Sequence, residues 1–145
     1  DVSLPIAVAL FRATGPAMNV AVAFYVAHWV GLEPSVGQMI AAVAVGAVLS
    51  SPRCRCLDTA RLAFGQAQPW DVLQGALNDV ELRQRQVAEI KKAIAGHRSG
   101  PALVLVTHGS VVTDLTGLSI RMGEFVVLRR APDGRHAVAG QLYVD

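Results

Sequence analysis

The sequence predicts an α/β protein: a three-layer sandwich with a mostly parallel central sheet and a C-terminal β-hairpin. Three observations carry that expectation. The runs from Leu4 to Phe11, Ala47 to Leu49 and Ala102 to Val106 are continuous apolar blocks of strand length or shorter, the pattern of strands buried on both faces of a parallel sheet. Helical stretches separate them, which supplies the crossovers that parallel strands need. The stretches from Glu124 to Arg130 and from Ala137 to Val144 alternate on either side of Ala131-Pro132-Asp133-Gly134, as two antiparallel strands and their turn would.

The first run, LPIAVALF, breaks at Arg12-Ala13-Thr14-Gly15-Pro16. From Val20 to Trp29 the chain is rich in β-branched and aromatic residues without a clean period, and it fits a helix, a strand or a buried loop equally. Leu32-Glu33-Pro34-Ser35 marks a helix start, followed by a short buried helix from Val36 to about Ala44. The strand at Ala47-Val48-Leu49 is stopped by Ser50-Ser51-Pro52. Ser51 suits an N-cap and Pro52 the first helical position, so a helix is expected to about Phe64. Its inward stripe would be Cys54, Leu57, Ala60 and Phe64, with Gly65 as its stop.

Gln66 to Trp70 reads as a loop. Asp71 is placed to cap a short turn through Leu77, and Asp79 a longer helix from Val80 to Ala95 that Gly96 ends. On that helix Val80, Val87, Ile90 and Ile94 form a sparse apolar stripe, and Arg83, Arg85, Lys91 and Lys92 a solvated face. The strand ALVLV stops at Thr107-His108-Gly109-Ser110. A short helix from Val111 to Leu115 is expected next, ended by Gly117.

With 145 residues, 52% of them hydrophobic and 17% charged, the chain suits one domain over residues 1–145 with a single sizeable core. A net charge of +2, with no basic patch interleaved with aromatics, excludes nucleic acid as a partner. The apolar stretch from Ala17 to Leu32 contains Asn19 and His28 and falls short of the roughly twenty apolar residues of a membrane span. The run from Met39 to Leu49 is shorter still, so no integral membrane insertion is expected. No charged region precedes an apolar run at the N-terminus, and no signal peptide is visible in this chain. Cys54 and Cys56 are the two cysteines. Two residues apart on a helix they point about 200° from each other, which argues against a mutual disulfide. A lone C-x-C is a poor zinc site, so neither a metal nor another cofactor is expected.

The chemistry collects at the strand ends. Arg12 follows the first apolar strand, Ser50 to Arg55 the second and His108 the third. Ligand sites in open parallel sheets form outside the carboxyl ends of the strands, so Arg12, Arg55 and His108 can converge despite their separation in sequence. Two guanidinium groups and an imidazole describe an oxyanion pocket. Arg53 and Arg55 also sit in the first turn of a helix, where the helix dipole disfavours cations. A bound phosphate would relieve that conflict, because free N–H groups and guanidinium forks would both converge on it. Positions i and i+2 face different sides of a helix, so Arg53 and Arg55 cannot both reach one anion equally.

The residues Ser50, Ser51, Pro52, Arg55, Leu57, Asp58, Thr59 and Ala60, in the pattern S-S-P-x-x-R-x-L-D-T-A, strongly resemble a signature of the histidine phosphatase superfamily, the phosphoglycerate-mutase-like group. V-L-V-T-H-G, ending at His108 and Gly109, matches the second histidine motif of that family. The resemblance covers most of the chain, is nearest to the small bacterial exported phosphatases, and implies that Arg55 and His108 contact a phosphoryl group and that Arg53 is peripheral. The departure lies in the first motif. Family members carry R-H-G or R-H-A at the end of the first strand, and that histidine is the nucleophile. Here Arg12 matches the arginine and Ala13 stands in the place of the histidine. His28 has no arginine before it and lies almost against the helix start at Leu32-Glu33-Pro34, whereas aligning Ala13 with the nucleophile keeps the following loop near its usual length. For the general acid, Glu124 and Asp114 are the available carboxylates.

The expected function is therefore a histidine-phosphatase-fold protein that binds phosphate or a phosphorylated small molecule through Arg12, Arg55, His108 and Ser51. As a phosphatase it would be impaired or inactive, because Ala13 cannot form a phosphoenzyme. The alternatives are an active phosphomonoester hydrolase using His28 or His108 in an unusual arrangement, with Glu124 as acid, and a non-catalytic interaction protein that docks a partner through the apolar segment from Val20 to Trp29. Self-association as a homo-oligomer is compatible with each. The resemblance favours a periplasmic or secreted setting, otherwise a cytoplasmic one.

Overall fold

The computed structural model describes residues 7–12, 45–98 and 101–142. Among them, six strands form one sheet in the order β3-β2-β4-β1-β5-β6. The strands are β1 (Ala7–Arg12), β2 (Val45–Ser50), β3 (Gln68–Pro69), β4 (Ala102–Thr107), β5 (Phe125–Arg130) and β6 (His136–Leu142). β4 lies at the centre with β1 and β2 parallel on either side, and β3 extends the parallel set beyond β2. β5 runs antiparallel to β1, and β6 antiparallel to β5. The helices among the described residues are α1 (Cys54–Phe64), α2 (Val80–Gly96) and α3 (Gly109–Thr116), with a 3-10 turn over Asp71–Gln74. This is the expected α/β sandwich with its parallel centre and closing hairpin. No helix among the described residues is long and apolar enough to cross a membrane. The expected helix from Val36 to Ala44, the segment from Val20 to Trp29, Ala13 and His28 lie outside the described residues.

The alternation of β4 divides the core in two. Leu103 and Leu105 join Leu73, Ile90, Ile94, Val111 and Val112 on the face covered by α2 and α3. Val104 and Val106 join Val48, Cys56, Ala60 and Phe125 on the face covered by α1. A strand buried on both faces has no polar side, which is why its sequence is a continuous apolar run. Helices on both sides of the sheet complete the three layers.

Several boundaries differ from the sequence expectation, each for a physical reason. α1 starts at Cys54, with Arg53 rather than Ser51 in the cap position. The Ser51 N–H still donates to the Val106 carbonyl at 2.9 Å, which holds that residue in the sheet ladder, and a residue before proline is itself biased towards extended backbone. The buried face of α1 is Cys56, Thr59 and Ala60, while Cys54 is exposed. Thr59 can be buried because its hydroxyl donates to the Arg55 carbonyl at 2.6 Å, and counting apolar residues alone misses it. The expected loop from Gln66 to Trp70 contains β3, tied to β2 by the Trp70 N–H donating to the Ser50 carbonyl at 2.8 Å. Trp70, not Asp71, precedes the 3-10 turn.

Elsewhere the local signals hold. Asp79 caps α2, its Oδ1 accepting from the Leu82 N–H at 2.9 Å, although Val80 projects into solvent and only Ile90 and Ile94 of the proposed stripe are buried. α3 begins at Gly109, two residues earlier than expected, and ends at Gly117. Gly65 closes α1 with φ 71°, its N–H donating to the Arg61 carbonyl at 2.8 Å, a backbone conformation that favours glycine. The turn of the hairpin is closed by the Ala131 N–H donating to the Arg135 carbonyl at 2.7 Å.

Thr107, at the end of β4, is fully buried and donates its hydroxyl to the Leu73 carbonyl at 2.7 Å, fastening the 3-10 turn to the strand end that precedes His108. Thr107→Val keeps the shape and leaves that carbonyl unpaired. The substitution should lower unfolding free energy by about 1–3 kcal/mol, read from the urea midpoint.

Candidate anion-binding site

His108 is the cap residue of α3, extended at φ −107° and ψ 153° immediately after β4. Its ring is held from both nitrogens. Nε2 lies 2.9 Å from the Ser51 hydroxyl oxygen and Nδ1 3.0 Å from Nη2 of Arg55. A guanidinium can only donate, so Nδ1 is the acceptor and a neutral ring carries its proton on Nε2, donating to Ser51. Ser51 is fully buried and its hydroxyl oxygen also accepts from the Arg53 N–H at 3.4 Å. Cys56 packs beneath, its sulfur 3.8 Å from Nε2 of His108 and 3.9 Å from the Thr107 carbonyl.

The helix ends strengthen the positive character of the place. α1 and α3 carry no acidic residue in their first turns and no side-chain cap. Their first N–H groups have no intrahelical acceptor, and both ends border one open cavity of about 1130 Å3 that includes Arg53, Arg55, His108, Gly109 and Ser110 in its wall. Gly75 lines the same wall with φ 72°, and a Cβ there would meet Val111 Cγ2 at 2.9 Å. The close approach of the 3-10 turn to α3 therefore requires glycine. Hydrogen-bond donors and guanidinium groups aimed into one cavity suit an oxyanion.

The expected site residues are thus placed as follows. Arg55, Ser51 and His108 come together. Arg12 is the last residue of β1, paired in register with Thr107 and so one strand away from the residue before His108. Arg53 lines the cavity with Arg55, but the contact to His108 belongs to Arg55. Glu124 is nearly buried, its carboxylate accepting from the Arg121 N–H at 2.7 Å and from Gln141 Nε2 at 3.2 Å, and it is not part of the cavity wall. Asp114 pairs with Arg83 of α2 at 3.0 Å. No group of three or more His, Cys, Asp or Glu suited to a metal ion occurs among the described residues. The sequence reading missed Cys56 as the floor of the site. Its one sequence signal was its place between Arg55 and Leu57 in the S-S-P-x-x-R-x-L pattern.

Burial pushes the Cys56 thiol above its usual pKa, with the Ser51 hydrogen bond and the charges of Arg55 and Arg53 pulling the other way. Cys56 is therefore a protonated packing group rather than a thiolate. Cys54, two residues earlier, is exposed and free. In the folded protein a disulfide reagent such as dithionitrobenzoate should titrate one thiol, and two after denaturation. Rapid reaction of both in the native state would contradict the burial of Cys56.

Neither a protein-family model nor a curated protein matches the sequence. Solved structures do match over nearly the whole chain. The protein histidine phosphatase SixA complexed with tungstate is 16% identical, with 95% of this chain and 97% of that one covered and a TM-score of 0.54. Phosphoglycerate mutase from Plasmodium falciparum is 12% identical over 92% of this chain and 88% of its own, with a TM-score of 0.60. A mutant phosphoserine phosphatase from Entamoeba histolytica in complex with phosphoserine is 12% identical over 94% and 96%, with a TM-score of 0.58. Identities this low establish a likeness of architecture, and the chain has the fold of the histidine phosphatase superfamily.

Proposed function

We propose that this chain is a single histidine-phosphatase-like domain that binds phosphate or a phosphorylated small molecule without efficient turnover. The observation that carries the reading is the placement of His108 between Ser51 and Arg55 at the mouth of two helix N-termini. On entry, a phosphoryl group takes the Arg55 guanidinium as a donor fork in place of Nδ1 of His108. Nδ1 then accepts from a singly protonated phosphate or, once protonated, donates to it. Ser51 keeps the ring oriented throughout by its contact at Nε2. Arg12, at the same strand edge, supplies the second guanidinium.

The proposed lack of turnover follows from Ala13, the residue after Arg12. A phosphohistidine intermediate needs a lone pair in line with the leaving oxygen, and a methyl group offers none. Charge stabilisation by the remaining pocket can hold the ground state but does not replace the attacking atom. Binding does not depend on that atom. The Entamoeba phosphoserine phosphatase bound to phosphoserine is itself a histidine-to-alanine mutant, which supports retention of ligand binding in this fold after loss of a histidine.

Titration calorimetry with inorganic phosphate tests the binding half. Removing one charged hydrogen-bond partner costs about 1.5–3 kcal/mol, so Arg55→Ala should weaken binding roughly ten- to a hundredfold. Arg53→Ala should weaken it less, and equal losses would contradict the assignment of Arg55 as the contact. The catalytic half is tested with p-nitrophenyl phosphate from acid to neutral pH. The unmodified protein should give little or no hydrolysis, and Ala13→His should give measurable turnover or an acid-labile phosphoenzyme. Robust turnover of the unmodified protein that His28→Ala abolishes would replace this reading with that of an active hydrolase.

A further inference from the structure

Large exposed apolar side chains line the cavity of the candidate anion site. Leu62 of α1, Leu77 between the 3-10 turn and α2, and Met122 before β5 are 55%, 75% and 61% exposed. All three line the cavity that holds Arg55 and His108. They come from three separate segments, so no single helix face or strand period accounts for their meeting at one place. Among the described residues the other large exposed hydrophobic side chains, Val80, Leu82 and Val138, are not in that wall. Ile120, almost fully buried, backs the same wall.

The charges of the described part of the wall are few. Arg53 and Arg55 are its described cations and Asp58 its described carboxylate. That complement suits a single phosphoryl group. Among the described wall residues, a second phosphate or a carboxylate on the same ligand would meet Arg53, with Asp58 close by in sequence to oppose it. The cavity of about 1130 Å3 is far larger than one phosphate, and Leu62, Leu77 and Met122 share its wall with polar Gln74, Asn78 and Ser119. A ligand that placed its phosphate on Arg55 and His108 would lay its alcohol portion against Leu62, Leu77 and Met122.

We infer that the site selects phosphomonoesters whose alcohol part is an apolar aryl or alkyl group, over small polar ones such as sugar or glycerol phosphates. This rests on the anion-binding reading above and names its ligand class. Leu77 and Met122 are the specificity-determining residues, and they do so by removing apolar ligand surface from water.

The test is calorimetric titration of the unmodified protein with inorganic phosphate, glycerol phosphate and 1-naphthyl phosphate. Naphthyl phosphate should bind on the order of tenfold more tightly than glycerol phosphate, as burial of a modest apolar area would give. The double substitution Leu77→Ser, Met122→Ser should abolish that preference, with inorganic phosphate affinity and melting temperature unchanged. A Leu62→Gln protein should show a smaller loss of the preference. Equal affinity for the two esters, or a preference that survives the double substitution, overturns the inference while inorganic phosphate binding upholds the site. A double variant that melts markedly lower would mean that the rim is covered by the protein itself, or by a second copy if the mass in solution also falls, and either result overturns it. Failure of inorganic phosphate to bind at all overturns the anion site, and the ligand class with it.

Discussion

The candidate site depends on the two-sided restraint of one imidazole. Ser51 and Arg55 take opposite nitrogens of His108 at 2.9 and 3.0 Å, and because a guanidinium has no lone pair to offer, the tautomer is fixed as well as the ring plane. The restraint is inherited from the sheet. Ser51 is still anchored to β4 through the Val106 carbonyl, and Thr107, the residue before His108, is fastened to the 3-10 turn. Two adjacent parallel strands therefore deliver the hydroxyl and the imidazole to one point, and α1 brings Arg55 over the top.

That arrangement has a consequence for α1. A serine engaged with His108 and still paired to the sheet does not act as a conventional helix cap, so the helix starts beyond it at Cys54. Its first N–H groups are left to face the cavity beside those of α3. The same place is thus rich in hydrogen-bond donors. Cys56 is buried and held as the thiol, and Asp114 is engaged by Arg83.

Much of this was legible in the chain itself. β2, β4 and the hairpin announce themselves because strands covered on both faces are continuous apolar runs, and a Pro-Asp-Gly turn admits little else. That Arg55 and His108 lie together was legible from their places at the ends of apolar strands and from the two motifs that resemble the histidine phosphatases. The phase of α1 was not legible, since Thr59 satisfies its own hydroxyl and is buried while Cys54 is not. Ser51 was read as a cap, whereas its hydroxyl contacts His108, because a partner 57 positions away in sequence leaves no local mark. β3 is two residues long, too short for any period. The apolar mouth was invisible for a related reason: Leu62, Leu77 and Met122 belong to different segments, and exposed apolar residues look like core residues until the fold shows where they sit.

The central claim is that an oxyanion pocket survives here with an alanine in the nucleophile position, and a crystal structure with tungstate tests both halves in one observation. The account predicts the anion on Arg55 and His108, with Arg12 as a further donor and the methyl group of Ala13 on the side from which attack would come. An imidazole of His28 at that side within bonding reach of the tungsten, or tungstate bound away from Arg55 and His108, would contradict it.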